Sequence, residues 1–230
     1  MEKSSKIDKK DSPAMFDNIA KTYDKLNHIL SFGLDVRWRR KFVTYLNTRH
    51  YETVVDIASG TGDLLVNLQK LNASNYYAID PSENMLNIAK TKVPSAKFIV
   101  AGAELLPLVN ESVDLITVSF GIRNFVSLEK SFSEFYRLLK TNGIVSIMEF
   151  SKPKFFLFKW GFTIYLKIFL PFIGKMVSKD KSAYKYLQAS IFDFAENVDV
   201  FQILSKCNLS KLSENKLLFG AVKIYTCKKL

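Results

Sequence analysis

The sequence predicts a doubly wound α/β fold built on a mostly parallel sheet, and three observations carry that prediction. A β-branched run from Thr53 to Ile57 turns through Gly60 and Gly62 into an apolar-periodic segment. Short apolar runs then alternate with helix-like segments as far as Phe150, a rhythm that builds parallel strands with helices on both faces. Two strand-like segments, LSKLSE and LLFGAVKIYTCKK, end the chain and fit an antiparallel hairpin at the sheet edge.

Composition agrees with a packed globule. The chain has 230 residues, 48% of them hydrophobic, with 19 Phe and 10 Tyr, so a sizeable core is within reach. The formal net charge of +11 points to an anionic partner, either nucleic acid or a lipid surface, unless the lysines merely solvate the exterior. Cys207 and Cys227 form no CxxC pattern, and His28 and His50 stand far from them, which argues against a structural metal or a disulfide framework. The opening MEKSSKIDKKD lacks the apolar core of a signal peptide and reads as a basic, disordered tail over residues 1–12, in a cytoplasmic protein.

From residue 13 onward the chain reads as a single domain, without repeat or linker. Ser12 and Pro13 make a cap and first turn, and Met15, Ile19, Tyr23 and Leu26 share one face of the helix that follows. Gly33 breaks that helix, and a second is expected from about Asp35 to Leu46 with WRRK on its exposed side. This hairpin, residues 13–48, would form a lid over a cleft. After the first βα unit, Pro81 and Ser82 start a helix through about Lys92, and Phe98 to Gly102 reads as the third strand. Ser112 to Phe120 reads as the fourth strand. Ser127 caps a helix that runs to Lys140 and stops at Asn142-Gly143, ahead of a fifth strand at Ile144 to Phe150. A polar helix from Asn197 to Cys207 precedes the final hairpin, in which Gly220 marks a bulge or a close approach.

The glycine turn is the candidate cofactor site. Strand, glycine turn and helix together aim unpaired backbone N–H groups at a ligand. Asp80 ends the next apolar run about 20 residues beyond Gly60, where an acidic side chain commonly meets ribose hydroxyls. Asp56 before the turn and Asp63 after it would repel a pyrophosphate, and Leu65 stands where a dinucleotide fingerprint has its third glycine. S-adenosylmethionine carries an ammonium and a sulfonium and no phosphate, so those carboxylates favour it over NAD.

Between Lys154 and Lys179 the chain is at its most apolar and aromatic. Lys159, Gly161, Lys167 and Pro171 interrupt the run, and the two lysines fall about 80° apart on a helical wheel. The stretch, part of an insertion over about residues 154–192, reads as an amphipathic element over an apolar pocket or on an anionic membrane surface, not as a transmembrane span. A helix packed in the core is the plainer alternative.

Several stretches, in order, cover roughly Met15 to Val222: FDNIAKTYDKLNHILSFGLDVRWRR, VVDIASGTGD, AIDPSENML, SFGIRNF, EFYRLLKTNG, IMEFSKP, LPFIGK and YKYLQASIFDF. Together they resemble the demethylmenaquinone methyltransferase family, which includes the ubiquinone-pathway C-methyltransferases. The resemblance implies a seven-stranded Rossmann-like methyltransferase sheet with its last strand antiparallel, and S-adenosyl-L-methionine as cofactor. It carries cofactor binding onto Thr61, Asp80, Gly102, Ala103 and Ser119, beside Asp56, Gly60 and Gly62 of the turn. Gly102 departs from the Asp or Asn common in the family, and Ala189 and Ala195 depart from a usual Glu and Pro.

The reaction so implied is C-methylation of a polyprenylated quinol, demethylmenaquinol before the benzoquinol of the ubiquinone pathway. Arg123 and Asn124 lie just beyond the fourth strand, where open α/β sheets bind ligands, and are the candidate catalytic pair, Arg123 for the developing phenolate and Asn124 to orient it. Tyr23, Asp24 and His28 are secondary candidates for gripping quinol or cofactor. The expected partners are the quinol, the inner face of an anionic membrane and, where the chain self-associates, a second copy. Nucleic acid is not among them, because no Asn/Asp-Pro-Pro-Tyr element is present. A non-catalytic organiser of a quinone-synthesis complex is the rival of another class, suggested only by Gly102.

Overall fold

A computed structural model of the chain describes residues 12–153 and 181–230 together with Lys9, Gly161 and Tyr165. Its strands are β1 (Thr53–Ile57), β2 (Asn75–Asp80), β3 (Lys97–Val100), β4 (Val113–Ser119), β5 (Leu139–Phe150), β6 (Leu209–Leu217) and β7 (Val222–Lys229). They make one seven-stranded sheet in the order β3-β2-β1-β4-β5-β7-β6. The first five pair in parallel, and β7 lies antiparallel between β5 and β6. The closing hairpin is present, with its second strand next to β5 and its first on the outer edge.

The order turns back at β1 and β4, so the ends of these neighbouring strands open a crevice at the switch point. Both faces of the central strands are buried. Val55 and Ile57 of β1 pack with Phe132, Phe135 and Leu138 of α5 (Leu128–Leu138), and with Leu204 of α7 (Val200–Lys206). Val54 points the other way, toward Phe42 of α2 (Leu34–Leu46) and Leu65 and Leu68 of α3 (Asp63–Leu68). The period-two alternation thus has a helix layer on each side.

Two helix starts fall where the sequence places their caps. Ser82 accepts from Met85 N–H at 3.2 Å at the head of α4 (Glu83–Lys92), and Ser127 accepts from Lys130 N–H at 3.3 Å at the head of α5. Gly33, at φ +72°, separates α1 (Ser12–Leu30) from α2. A helix α6 (Lys181–Asn197) then packs Ile191 against Leu26 and Leu30 of α1.

Three expectations need correction. Trp38 and Arg39 are buried, so only Arg40 and Lys41 of WRRK face outward. Helix α5 ends at Leu138 because Leu139 is buried and pairs with Val113; Asn142-Gly143 is a kink inside β5, where the register shifts. The last helix begins at Val200, capped by Asp199, and the residues up to Asn197 belong to α6. The apolar stretch from Lys154 to Lys179 lies outside the described residues apart from Gly161 and Tyr165. No helix among the described residues is long and apolar enough to cross a membrane.

Candidate active site

The turn after β1 is shaped by two glycines with left-handed backbone, Gly60 at φ +53° and Gly62 at φ +81°. Gly62 also lets α4 come close, since a Cβ there would sit 2.9 Å from Ala89 Cβ. Gly60 N–H donates to Asp80 Oδ2 at 2.9 Å, and Ser82 N–H donates to Asp80 Oδ1 at 2.9 Å. The turn and the end of β2 are therefore locked together by the carboxylate expected to meet ribose.

Beside the turn lies a cavity of about 490 Å³, within the usual size range of small-molecule sites. Asp56, Gly60, Thr61 and Ser119 form its floor; Trp38, Phe120 and Phe150 form an aromatic wall; Tyr23 and Leu30 of α1 form its roof. Phe120 lies 6.0 Å from the Trp38 ring and 4.8 Å from that of Phe150. A smaller cavity of about 180 Å³ adjoins it through Tyr23, Ala58, Gly60, Ser119 and Phe120. Asp80, Gly102, Ala103 and Asn124 line this second space.

Four buried side-chain polar atoms have no hydrogen-bond partner among the described residues: Asp56 Oδ2, Ser59 Oγ, Ser119 Oγ and Arg123 Nε. All four residues line the larger cavity. Buried polar groups are normally paired, so this concentration of orphans at one cavity fits a polar ligand. Asp56 is 1% exposed; Thr117 Oγ1 donates to its Oδ1 at 2.7 Å. Burial pushes the Asp56 carboxyl up to about 7 against that hydrogen bond, and burial likewise lifts Asp80 to about 6. A cation in the cavity would relieve this cost by favouring the ionised Asp56.

Helix α1 is fastened over both cavities by its own carboxylates. Thr61 Oγ1 donates to Asp24 Oδ1, and Lys92 Nζ bridges Asp24 and Asp63 at 2.6 Å each. About two turns away along α1, Ser82 Oγ and Asn84 N–H both donate to Asp17 Oδ1. Tyr23 reaches both cavities, whereas Asp24 lines neither and serves as the latch.

Arg123 and Asn124 are adjacent in sequence but face different spaces. Arg123, 5% exposed, lines the larger cavity; Nη1 donates to Glu149 Oε1 at 2.9 Å and to the Phe120 carbonyl, and the guanidinium lies 5.7 Å from the Phe150 ring centroid. Asn124 lines the smaller cavity, and its Oδ1 accepts from Tyr186 Oη of α6 at 2.9 Å. His28 lines neither cavity: its Nδ1 meets Asp35 Oδ2 at 2.7 Å. Burial pushes the Asp35 carboxyl up, but hydrogen bonds from Ser31 and Arg39 outweigh it and hold the group below the usual carboxylate range. His28, Asp35 and Asp63 offer ligand atoms within 4.8 Å of one another, yet Arg39 Nη1 sits 2.5 Å from Asp35 and 3.7 Å from Asp63, so a side-chain cation already serves this cluster.

Sequence reasoning did not single out Glu149, Lys92, Asp17 or the Asp35–Arg39 pair as site residues. The i, i+4 spacing of Asp35 and Arg39 was the one signal available locally. The others find their partners across 26 to 68 residues of chain.

Comparison with known proteins agrees with this geometry. A family model described as the ubiE/COQ5 methyltransferase family matches residues 4–229. The chain is similar to the ubiquinone/menaquinone biosynthesis C-methyltransferase UbiE of Campylobacter jejuni, at 42% identity over 94% of this chain and 96% of that one. It is 40% identical to a demethylmenaquinone methyltransferase of Bacteroides fragilis, over 94% and 91% of the two chains. Among solved structures, a SAM-dependent methyltransferase from Thermotoga maritima superposes with a TM-score of 0.62 at 19% identity, over 94% of this chain and 99% of that one. A SAM-dependent methyltransferase from Aquifex aeolicus gives 0.58 at 17% identity, over 83% and 89%. The chain belongs to the ubiE/COQ5 family and is an S-adenosylmethionine-dependent methyltransferase.

Proposed function

We propose that the protein methylates a ring carbon of a polyprenylated quinol, demethylmenaquinol giving menaquinol, with the methionine end of the cofactor beside Asp56 and its nucleoside in the smaller cavity. The observation that carries this reading is the set of four orphaned polar atoms around one aromatic-walled cavity. S-adenosylmethionine supplies a methyl group on a sulfonium, whose departure as a neutral thioether needs no acid.

The chain's own residues do the rest. Asp56 attracts the ammonium end through its free Oδ2, Asp80 takes the ribose, and Gly102 and Ala103 border the base. Trp38, Phe120 and Phe150 give the quinol ring a flat apolar wall. Arg123 keeps Nε free while Glu149 fixes its other end, so it favours a phenolate oxygen as the quinol proton leaves to water. The electron-rich ring carbon gains the methyl and loses its own proton, which restores aromaticity. Much of the rate comes from holding ring carbon and methyl in line. Asn124 acts at one remove, tying α6 to the loop through Tyr186.

The relatives' names cover both ubiquinone and menaquinone pathways, so a benzoquinol is the second reading. Incubation with labelled S-adenosylmethionine and each prenylated quinol tests both: a methylated naphthoquinol supports the first, methylated benzoquinol alone the second, and neither overturns the proposal. The charge of +11 supports peripheral contact with anionic lipid at the inner face of the membrane, where such a quinol resides. Failure to sediment with anionic liposomes at low salt would remove that contact.

A further inference from the structure

We propose that Glu104, beside Gly102, supplies the acceptor for the amino group of the cofactor's adenine. The proposal rests on the placement of the nucleoside in the smaller cavity and is independent of which quinol is methylated. Glu104 lines that cavity, and its Oε1 accepts from Val126 N–H at 2.8 Å and from Ser127 N–H at 3.2 Å. These two bonds fix the carboxylate on the cavity wall.

The other oxygen, Oε2, takes part in neither bond and stands 3.2 Å from where a Cβ on Gly102 would lie. The Glu104 carboxylate therefore occupies the space that a side chain at position 102 would enter. Among the described residues the one buried acceptor of this cavity without a partner is the Ser119 hydroxyl, which lies where the two cavities join, away from Gly102. Asp80 has both oxygens engaged by Gly60 and Ser82, and the Asn124 amide oxygen accepts from Tyr186. Lys9 lines the same cavity within electrostatic reach of Glu104, but an ammonium can only donate. A carboxylate only accepts, so it selects a base presenting an amino group at the 6-position and disfavours one presenting a carbonyl there.

The test is calorimetric binding of S-adenosylhomocysteine and S-inosylhomocysteine to the full chain, without quinol. Glu104→Gln keeps an oxygen for Val126 and Ser127 and turns an amide NH₂ toward the base. It is expected to weaken the adenosine ligand roughly ten- to hundredfold and to leave the inosine ligand unchanged or tighter. Gly102→Asp added to Glu104→Ala should recover the preference for adenosine. Equal weakening of both ligands by Glu104→Gln, or no change in either, overturns the proposal and leaves Glu104 only a brace for the loop. Asp80→Asn checks the placement separately: it should weaken both ligands alike, and if it weakens neither, the placement fails and the proposal with it.

Discussion

Arg123 Nη1 lies 2.9 Å from Glu149 Oε1, and Glu149 is wholly buried at the end of β5. A buried pair of this kind ties two demands together, since removing either partner strands the other charge. Arg123→Ala should therefore cost about 3–5 kcal/mol of stability as well as turnover. Arg123→Met combined with Glu149→Leu removes both charges and should recover most of the stability while activity stays down at least about a hundredfold. Thermal melts beside turnover and S-adenosylhomocysteine binding separate the effects. Full activity in a stable double variant would end the catalytic assignment of Arg123.

Burial raises Asp56 from 3.8 to about 7 and Asp80 from 3.8 to about 6. Between those limits the folded chain holds protons that the unfolded chain has released. Stability of the ligand-free protein should therefore fall as pH rises from about 4 toward 7 through these two groups. An ammonium bound at Asp56 favours its ionised form, so binding should release a proton near pH 6 and tighten as pH rises toward about 7.5. Calorimetry in buffers of different ionisation enthalpy reads the proton directly, and proton uptake instead would contradict the placement.

Lys92 joins Asp24 of α1 to Asp63 of α3, with side chains about a quarter exposed. Pairs so accessible contribute little to global stability, about 1 kcal/mol at most. Lys92→Met should thus leave the melting temperature nearly unchanged. It should raise the cofactor KM severalfold and speed hydrogen exchange along α1, because the latch between roof and turn is gone. Unchanged exchange in α1 would show that apolar packing alone holds the helix.

The two glycines of the turn differ in a way that substitution can read. Gly60 has φ +53° with nothing within 4 Å of a built Cβ, so Gly60→Ala should cost only the backbone strain of about 1–2 kcal/mol. Gly62 has φ +81° and a Cβ there would meet Ala89 Cβ at 2.9 Å, so Gly62→Ala adds a steric term of about 1–3 kcal/mol. Chemical denaturation of both variants should rank Gly62→Ala as clearly the less stable.

Much of what was local in the chain was legible in the sequence, although the end of α5 and the start of the last helix were not. Thr53 to Ile57, the glycine turn and Asp80 lie within one βα unit, and they come together much as the spacing implies. The caps at Ser82 and Ser127 were equally plain, because a cap acts within its own first turn. Trp38 and Arg39 were misplaced because charge on a helix was read as exposure, whereas Asp35 and Asp63 give Arg39 a buried site. The Thr61–Asp24 and Arg123–Glu149 contacts depend on how α1 and β5 dock, and no pattern near either residue encodes that. The insertion of β7 between β5 and β6 had no local signal, since either edge order suits a hairpin.

Tyr23 reaches both cavities from a single helix, and that helix is pinned at Asp17 and Asp24 to the segments beneath it. On the proposed placement one door serves two guests: a displacement of this helix would release the spent thioether and the methylated lipid together. A molecule that joined a nucleoside to an aromatic ring across Tyr23 would hold that door shut from within.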